Sequence, residues 1–145
     1  METAVTARID RASGQDAFVS VYPYLCDMPL REHMIMRQAF DNSVVVWIGY
    51  QDDQVLCAWG LCPPTFCADS AYLWLWTTQH MTEHVFTFVR HSQRAVAEML
   101  QSYPTIHGHC VIGATKSIRW MRWLGAVFGP PQGKLLPFTI EAPRG

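Results

Sequence analysis

The stretch Cys110 to Gly129, CVIGATKSIRWMRWLGAVFG, decides the fold. It reads as strand, turn, helix, glycine stop and strand. His107 to Ile112 is a short β-prone run that leads into Gly113. Thr115 is placed to cap a helix, because its hydroxyl can accept from a free N–H of the first turn. Ile118, Met121 and Leu124 then recur at about one helical turn, which gives an apolar face. Gly125 suits the position just past the helix, where a left-handed backbone is cheap only for glycine. Ala126 to Phe128 resumes an extended path at once. On pattern alone this is a strand–helix–strand corner, a common unit.

The flanking chain extends the alternation. Thr82 to Gln101 has the pattern of the longest helix, with Thr82 as its cap, and a stripe of Val85, Val89, Val96 and Met99/Leu100 opposite Arg90, Gln93, Arg94 and Glu98. Ser102-Tyr103-Pro104 ends it, and a strand from Thr105 to Ile112 follows. A last strand runs from Leu135 to Ile140. Toward the N-terminus, Val5 to Ile9 reads as a first strand. Gln15 to Leu25 reads as a helix that Pro23 ends or kinks. Pro29 to Phe40 reads as a second helix, with Pro29 suited to its first position. Val44 to Ile48 and Val55 to Leu61 form a hairpin about the polar turn Gln51 to Gln54. Tyr72 to Trp76 is a further strand, apolar on both faces and so expected to be covered on both. The order β-α-α-β-β-β-α-β-α-β implies a mixed α/β sheet with helices on both faces. With no repeat and no linker, residues 1–145 are expected to form a single domain.

Composition narrows the function classes. Of 145 residues, 50% are apolar and only 16% are charged, which argues for a well-packed globule or a subunit with a large buried contact. The formal net charge of −1 gives no global field for nucleic acid or acidic membranes. No apolar run approaches the roughly 20 residues of a membrane span. The N-terminal METAVTARIDRASG has no signal-peptide core, so synthesis and residence in the cytosol are expected. The five cysteines, in a reducing compartment, predict no disulfide framework.

The run SIRWMRWLGAVF resembles the last conserved motif of the GNAT (Gcn5-related N-acetyltransferase) fold, loosely Asn-x-x-Ala-x-x-Phe-Tyr-x-x-x-Gly-Phe. Aligned on Gly125, Ala114 stands at the Asn, Ser117 at the Ala, Trp120 at the Phe, Met121 at the Tyr and Ala126 at the last Phe. More closely, ATKSIRWMRWLGAVF is similar to small GNAT-like proteins of short-tailed bacteriophages, some of them internal virion proteins. Those also carry Phe-Thr-Ile near the end, as in Leu136 to Ile140 here. The sharp similarity covers about 30 residues, and the element order agrees over most of the chain.

The resemblance implies a place for acetyl-CoA. In the family, backbone N–H groups between the fourth strand and the next helix hold the pyrophosphate on a Gln/Arg-x-x-Gly-x-Gly/Ala loop. The corresponding stretch is Thr77 to His84, TTQHMTEH, and no glycine lies between Gly60 and Gly108. Glu83 would set a carboxylate beside the anion. Met121 cannot donate a proton to a departing thiolate, as the family's Tyr does. Ala114 lacks the usual amide. If CoA is bound, Trp76, Thr77, Gln79, Thr82, Ser117 and Met121 are the residues to touch it. No residue is assigned as catalytic; Glu32 and Glu83 are the carboxylates that could serve a GNAT-like cleft as a base.

Other constellations carry less. Cys57, Cys62 and Cys67, with His107, His109 and Cys110, depart from zinc-ligand spacing, and buried structural thiols are the expectation, with no metal. Cys110 with His80 has no local signature of a nucleophile pair. His84 and His91 are expected to face solvent. Lys116, Arg119 and Arg122 with Trp120 and Trp123 give a basic, aromatic helix surface, read either as solvated charges over two core indoles or as a partner contact through Arg119, Trp120, Arg122 and Trp123. The expectation is a bacteriophage GNAT-fold protein with a degenerate acetyl-CoA site and no cofactor. It would work through contacts with other virion proteins or a host protein, with oligomerisation possible, first in the host cytoplasm and then in the virion. The alternative is an active acetyl-CoA-dependent N-acetyltransferase on a host or phage amine.

Overall fold

A hairpin buried on both faces lies inside a seven-stranded sheet. The computed structural model describes residues 7–65, 67–78, 80–81 and 85–143, with the side chains of residues 85–87 outside the description. The elements run β1 (Ala7–Ala12), α1 (Gly14–Leu25), α2 (Leu30–Asn42), β2 (Val45–Gln51), β3 (Gln54–Cys62), β4 (Ser70–Thr77), α3 (Val85–Ser102), β5 (Thr105–Val111), α4 (Thr115–Trp123), β6 (Val127–Phe128) and β7 (Leu135–Glu141). The sheet order is β1-β2-β3-β4-β5-β7-β6. The expected class and order therefore hold, with the final extended part forming two strands. The chain divides into two compact units: one holds the chain up to Cys62 and Trp74–Phe88, the other Pro63–Leu73 and the chain from Val89 on.

In the first unit, β2 and β3 pair antiparallel, with Trp47 opposite Trp59 and Ile48 opposite Ala58. Alternation divides their side chains between two faces. Val46, Ile48, Val55 and Ala58 join Ala17, Phe18, Val21 and Leu25 of α1 and Phe40 of α2 in one apolar core. On the other face Trp47 stacks on Trp59 at 6.2 Å, and Phe88 of α3 meets the Trp59 ring edge-on at 5.4 Å. Helices α1 and α2 thus cover one side of the hairpin, and Phe88 meets the other. Its turn places Asp52 at φ 54°, a left-handed conformation that Asp tolerates better than most residues.

Local chemistry sets the helix ends. Ser13 caps α1, its Oγ accepting from the Asp16 N–H at 3.2 Å. Pro23 lies inside α1 and removes one helical donor, yet the helix runs on to the fully buried Leu25. Pro29, expected at the first helical position, sits instead at the N-cap of α2, and the helix starts at Leu30. Only Phe40 of α2 is fully buried, while Leu30, Met34 and Ile35 stand in solvent.

β4 departs from its expected double cover. Tyr72 is 39% exposed and Leu75 41%. The aromatic residues of this run have polar ends that reach partners at the surface or in half-buried sites. Tyr72 shares a hydrogen bond with His109 Nδ1 at 3.0 Å, and Trp74 Nε1 donates to Ser43 Oγ at 2.7 Å.

In the second unit, β5 pairs parallel with the start of β4, from Ser70–Thr105 to Tyr72–His107, and antiparallel with β7. It alternates cleanly: Ile106, Gly108 and Cys110 are buried, while His107, His109 and Val111 are exposed. In α3 the buried stripe is Ser92, Ala95, Val96 and Met99, with Val89 only half-buried. Thr82, its expected cap, lies outside the described residues. Thr115 does not cap α4. Ala114 holds that position, and Thr115, one residue too late, turns its hydroxyl back to donate to the Gly113 carbonyl at 3.3 Å. The other end of α4 is as read from the sequence. Gly125 has φ 102°, its N–H reaches the Arg122 carbonyl, and the Ala126 N–H reaches the Met121 carbonyl, both at 3.0 Å. That is a Schellman stop.

Two substitutions separate backbone from packing. Gly125→Ala is expected to destabilise by about 1–2 kcal/mol, since a Cβ is disfavoured in left-handed backbone. Phe40→Ala is expected to remove about 3–5 kcal/mol, since it empties a fully buried aromatic site. Urea midpoints of the two variants check both values and their order.

Candidate functional site

The corner between β4 and α3 is built on a fault in the hairpin ladder. Gly49 pairs with Cys57 and Tyr50 with Val55, so Leu56 has no residue opposite it in β2. A bulge of this kind leaves backbone groups outside the ladder, and they must find other partners. Thr78 supplies them. Its N–H donates to the Leu56 carbonyl at 2.8 Å. Its hydroxyl donates to the Val55 carbonyl at 2.7 Å, with the Leu56 carbonyl also near at 3.2 Å. The same oxygen accepts from the His80 N–H at 3.3 Å, and the Thr78 carbonyl accepts from the Met81 N–H at 3.2 Å.

Aromatic residues surround this corner. Tyr24 of α1 accepts from the Val55 N–H through its hydroxyl at 3.1 Å. Its ring meets Trp76 at 6.5 Å and His80 at 6.4 Å, both edge-on. Trp76 is half-buried and Thr77 exposed. Gln79, Thr82, Glu83 and His84 lie outside the described residues. The structure brings Trp76, Thr78 and His80 together with Tyr24 in the first unit. Reading from the sequence named Thr78 only within the stretch Thr77 to His84 and missed Tyr24, because their partners are backbone groups of a strand some twenty or thirty positions away.

The remaining candidates lie on α4 in the second unit. Ser117 is exposed at the first turn, while Met121 is only 6% exposed and faces the core. Trp120 is half-buried, its Nε1 donating to Ser92 Oγ at 3.1 Å, and Ser92 in turn donates to the Val89 carbonyl at 2.7 Å. Arg119 is exposed, Arg122 lies over the Phe128 ring at 5.5 Å, and Trp123 is 50% exposed. The two indoles are thus in different settings, one tied inward and one at the surface. On the neighbouring β5, His109 shares its hydrogen bond with Tyr72, and His107 Nδ1 pairs with Thr139 Oγ1 at 3.3 Å. Glu32 is exposed on α2, and His91 is exposed on α3.

Among the described residues no cluster of three His, Cys, Asp or Glu could hold an ion. Burial pushes the Cys57 thiol far above its ordinary value of 9.0, outweighing a hydrogen bond from the Gly49 backbone that lowers it. Burial also raises Cys110. Neither is a ready thiolate. Cys62 Sγ lies 3.4 Å from Ser43 Oγ, and Cys26 and Cys67 are exposed.

One feature suits a CoA pyrophosphate: the 18-residue α3 follows β4 in the chain, and the N-terminal end of a helix carries partial positive charge. Its described amides do not suit one: those of Thr78, His80 and Met81 are already donated within the corner or to β3.

No family model matches the sequence, and no curated protein matches it. Solved structures do. A chimera of the Vibrio cholerae spermidine N-acetyltransferase SpeG and hSSAT is 13% identical, with 96% of each chain covered and a TM-score of 0.63. A Desulfovibrio desulfuricans protein assigned to the GNAT family of acetyltransferases is 11% identical, with 94% of this chain and 99% of that one covered and a TM-score of 0.69. The IAA acetyltransferase of Bacillus cereus is 9% identical, with 94% and 100% covered and a TM-score of 0.66. At these identities the similarity establishes a fold: this chain has the GNAT fold.

Cys57 gives a pH test of the hairpin. The folded thiol keeps its proton where the unfolded thiol has lost it. Its contribution is therefore whole below pH 9 and is lost as pH rises above that value, by up to about 1.4 kcal/mol per pH unit. The difference between the wild type and Cys57→Ala in urea midpoint is expected to be flat from pH 6 to 8.5 and to shrink above pH 9.

Proposed function

We propose that this chain is an acetyl-CoA-dependent N-acetyltransferase acting on an amine. One observation carries the reading: the chain has the fold of acetyltransferases along 94–96% of its length. Acetyl-CoA, when bound, supplies the thioester that an acceptor amine attacks. The chain's own residues orient and shield it. Thr78 fixes the corner between β4 and α3, and Tyr24 and Trp76 give that corner an apolar wall. Met121 fills the inner face of α4 and neither gives nor takes a proton.

A second reading is favoured by the engaged amides of Thr78, His80 and Met81. In it the fold keeps its shape, holds no CoA and works through protein contacts. The phage-like close of the chain, its six tryptophans and its few charges support that role in a bacteriophage virion or its assembly. Arg119, Arg122 and Trp123 on α4 would then meet another virion protein or a host protein.

Calorimetric titration with acetyl-CoA and with CoA separates the two readings. The first expects binding in the micromolar range, followed by amine-dependent release of the CoA thiol. No heat and no thermal shift at millimolar ligand would overturn it and leave the second.

A further inference from the structure

We infer that Thr78 is a positioning residue for acyl-CoA, its hydroxyl holding in place a phosphate-side corner that glycine shapes in other GNAT loops; this rests on the acetyltransferase reading above. The argument begins with backbone freedom. A loop rich in glycine can reach conformations closed to other residues. From Ala68 to His107 this chain has no glycine, so the corner must be shaped by its bonds.

Thr78 makes those bonds on three sides. Toward β3, its hydroxyl and N–H reach the carbonyls of Val55 and Leu56 at 2.7 and 2.8 Å. Toward α3, its hydroxyl oxygen receives the His80 N–H at 3.3 Å, and its carbonyl receives the Met81 N–H at 3.2 Å. A hydroxyl has one donor and two acceptor lone pairs, and here it joins a strand to the turn that follows β4. Such local hydroxyl-to-backbone bonds bend the chain away from regular strand or helix. The anchor is also rigid, because the Leu56 bulge belongs to a hairpin buried on both faces. Threonine can therefore fix where the chain leaves β4 on its way to α3, although it offers no amide of its own to a ligand. The hydroxyl is the part that matters: valine keeps the shape and loses both the bond to Val55 and the acceptor for His80.

The test is acetyl-CoA affinity by calorimetry on the full chain, with melting temperature measured alongside. Thr78→Val is expected to weaken acetyl-CoA binding tenfold or more, and Thr78→Ser to stay within threefold of the wild type. Ser43→Ala is the control. It removes another half-buried hydroxyl bond of the same unit, that from Trp74 Nε1, and is expected to lower the melting temperature while leaving affinity unchanged. If the wild type does not bind acetyl-CoA, the acetyltransferase reading fails and this inference with it. If the wild type binds and Thr78→Val binds equally well, the inference alone is overturned. Equal weakening by Ser43→Ala would overturn it too, by showing a general loss of stability. Should Thr78→Val not fold, Thr78→Ala takes its place, and failure of both to fold would make Thr78 a structural residue only.

Discussion

The hairpin of β2 and β3 has no solvent face, and that constraint shapes the first unit. Each strand reads as a nearly unbroken apolar run, so both faces must be covered. Phe40 and the α1 residues cover one face, and Phe88 covers the other. Large rings need room, and the chain provides it by leaving out side chains. A Cβ on Gly60 would stand 2.7 Å from the Trp74 ring, and one on Gly49 would stand 2.9 Å from Cys57 Sγ. The arrangement has a polar cost. Trp59 Nε1 and Gln51 Oε1 are buried with no hydrogen-bond partner among the described residues. Each such atom costs about 1–3 kcal/mol. The apolar surface of the stacked Trp47–Trp59 pair and its neighbours offsets that cost.

What could be read from the sequence was what periodicity and backbone chemistry encode. The element order, the hairpin and the Gly125 stop follow from spacing and from a glycine that must be left-handed. The misreadings have physical sources. Thr115 looked like a cap because the residue type is right, but the helix begins at Thr115 itself and a cap must stand outside it. Tyr72 to Trp76 looked like a covered strand because hydropathy counts tyrosine and tryptophan as apolar, while their polar ends let them sit half in water. In α3, Ser92 lies in the buried stripe, although the stripe read from the sequence named only Val85, Val89, Val96 and Met99/Leu100. Its hydroxyl is satisfied by Val89 and Trp120, so burial does not penalise it.

The candidate site was legible only in part, for a different reason. The resemblance to the GNAT motif implied the region, from Trp76 onward, because that family holds its pyrophosphate after the fourth strand. Spacing could not give Thr78, whose role depends on a bulge in β3, and a bulge arises from register rather than from any residue type. Tyr24 is hidden in the same way: only the structure turns its hydroxyl onto the Val55 amide.

The same polar bonds bear on both readings of the chain. A backbone amide can satisfy its neighbour or a ligand, but one N–H does not do both at full strength. Where glycine loops keep amides free and rely on conformational freedom, this corner uses its amides to define itself. Among the described residues of the corner, the amides of Thr78, His80 and Met81 are all engaged within the chain. Binding then depends on preorganisation rather than on the number of donors, since a rigid site loses less entropy when a ligand arrives. A stiff corner without a ligand is, equally, a sound piece of scaffold. Geometry at Thr78 is therefore compatible with catalysis and with a purely architectural role, and the difference between them lies in whether an anion finds enough donors at the start of α3.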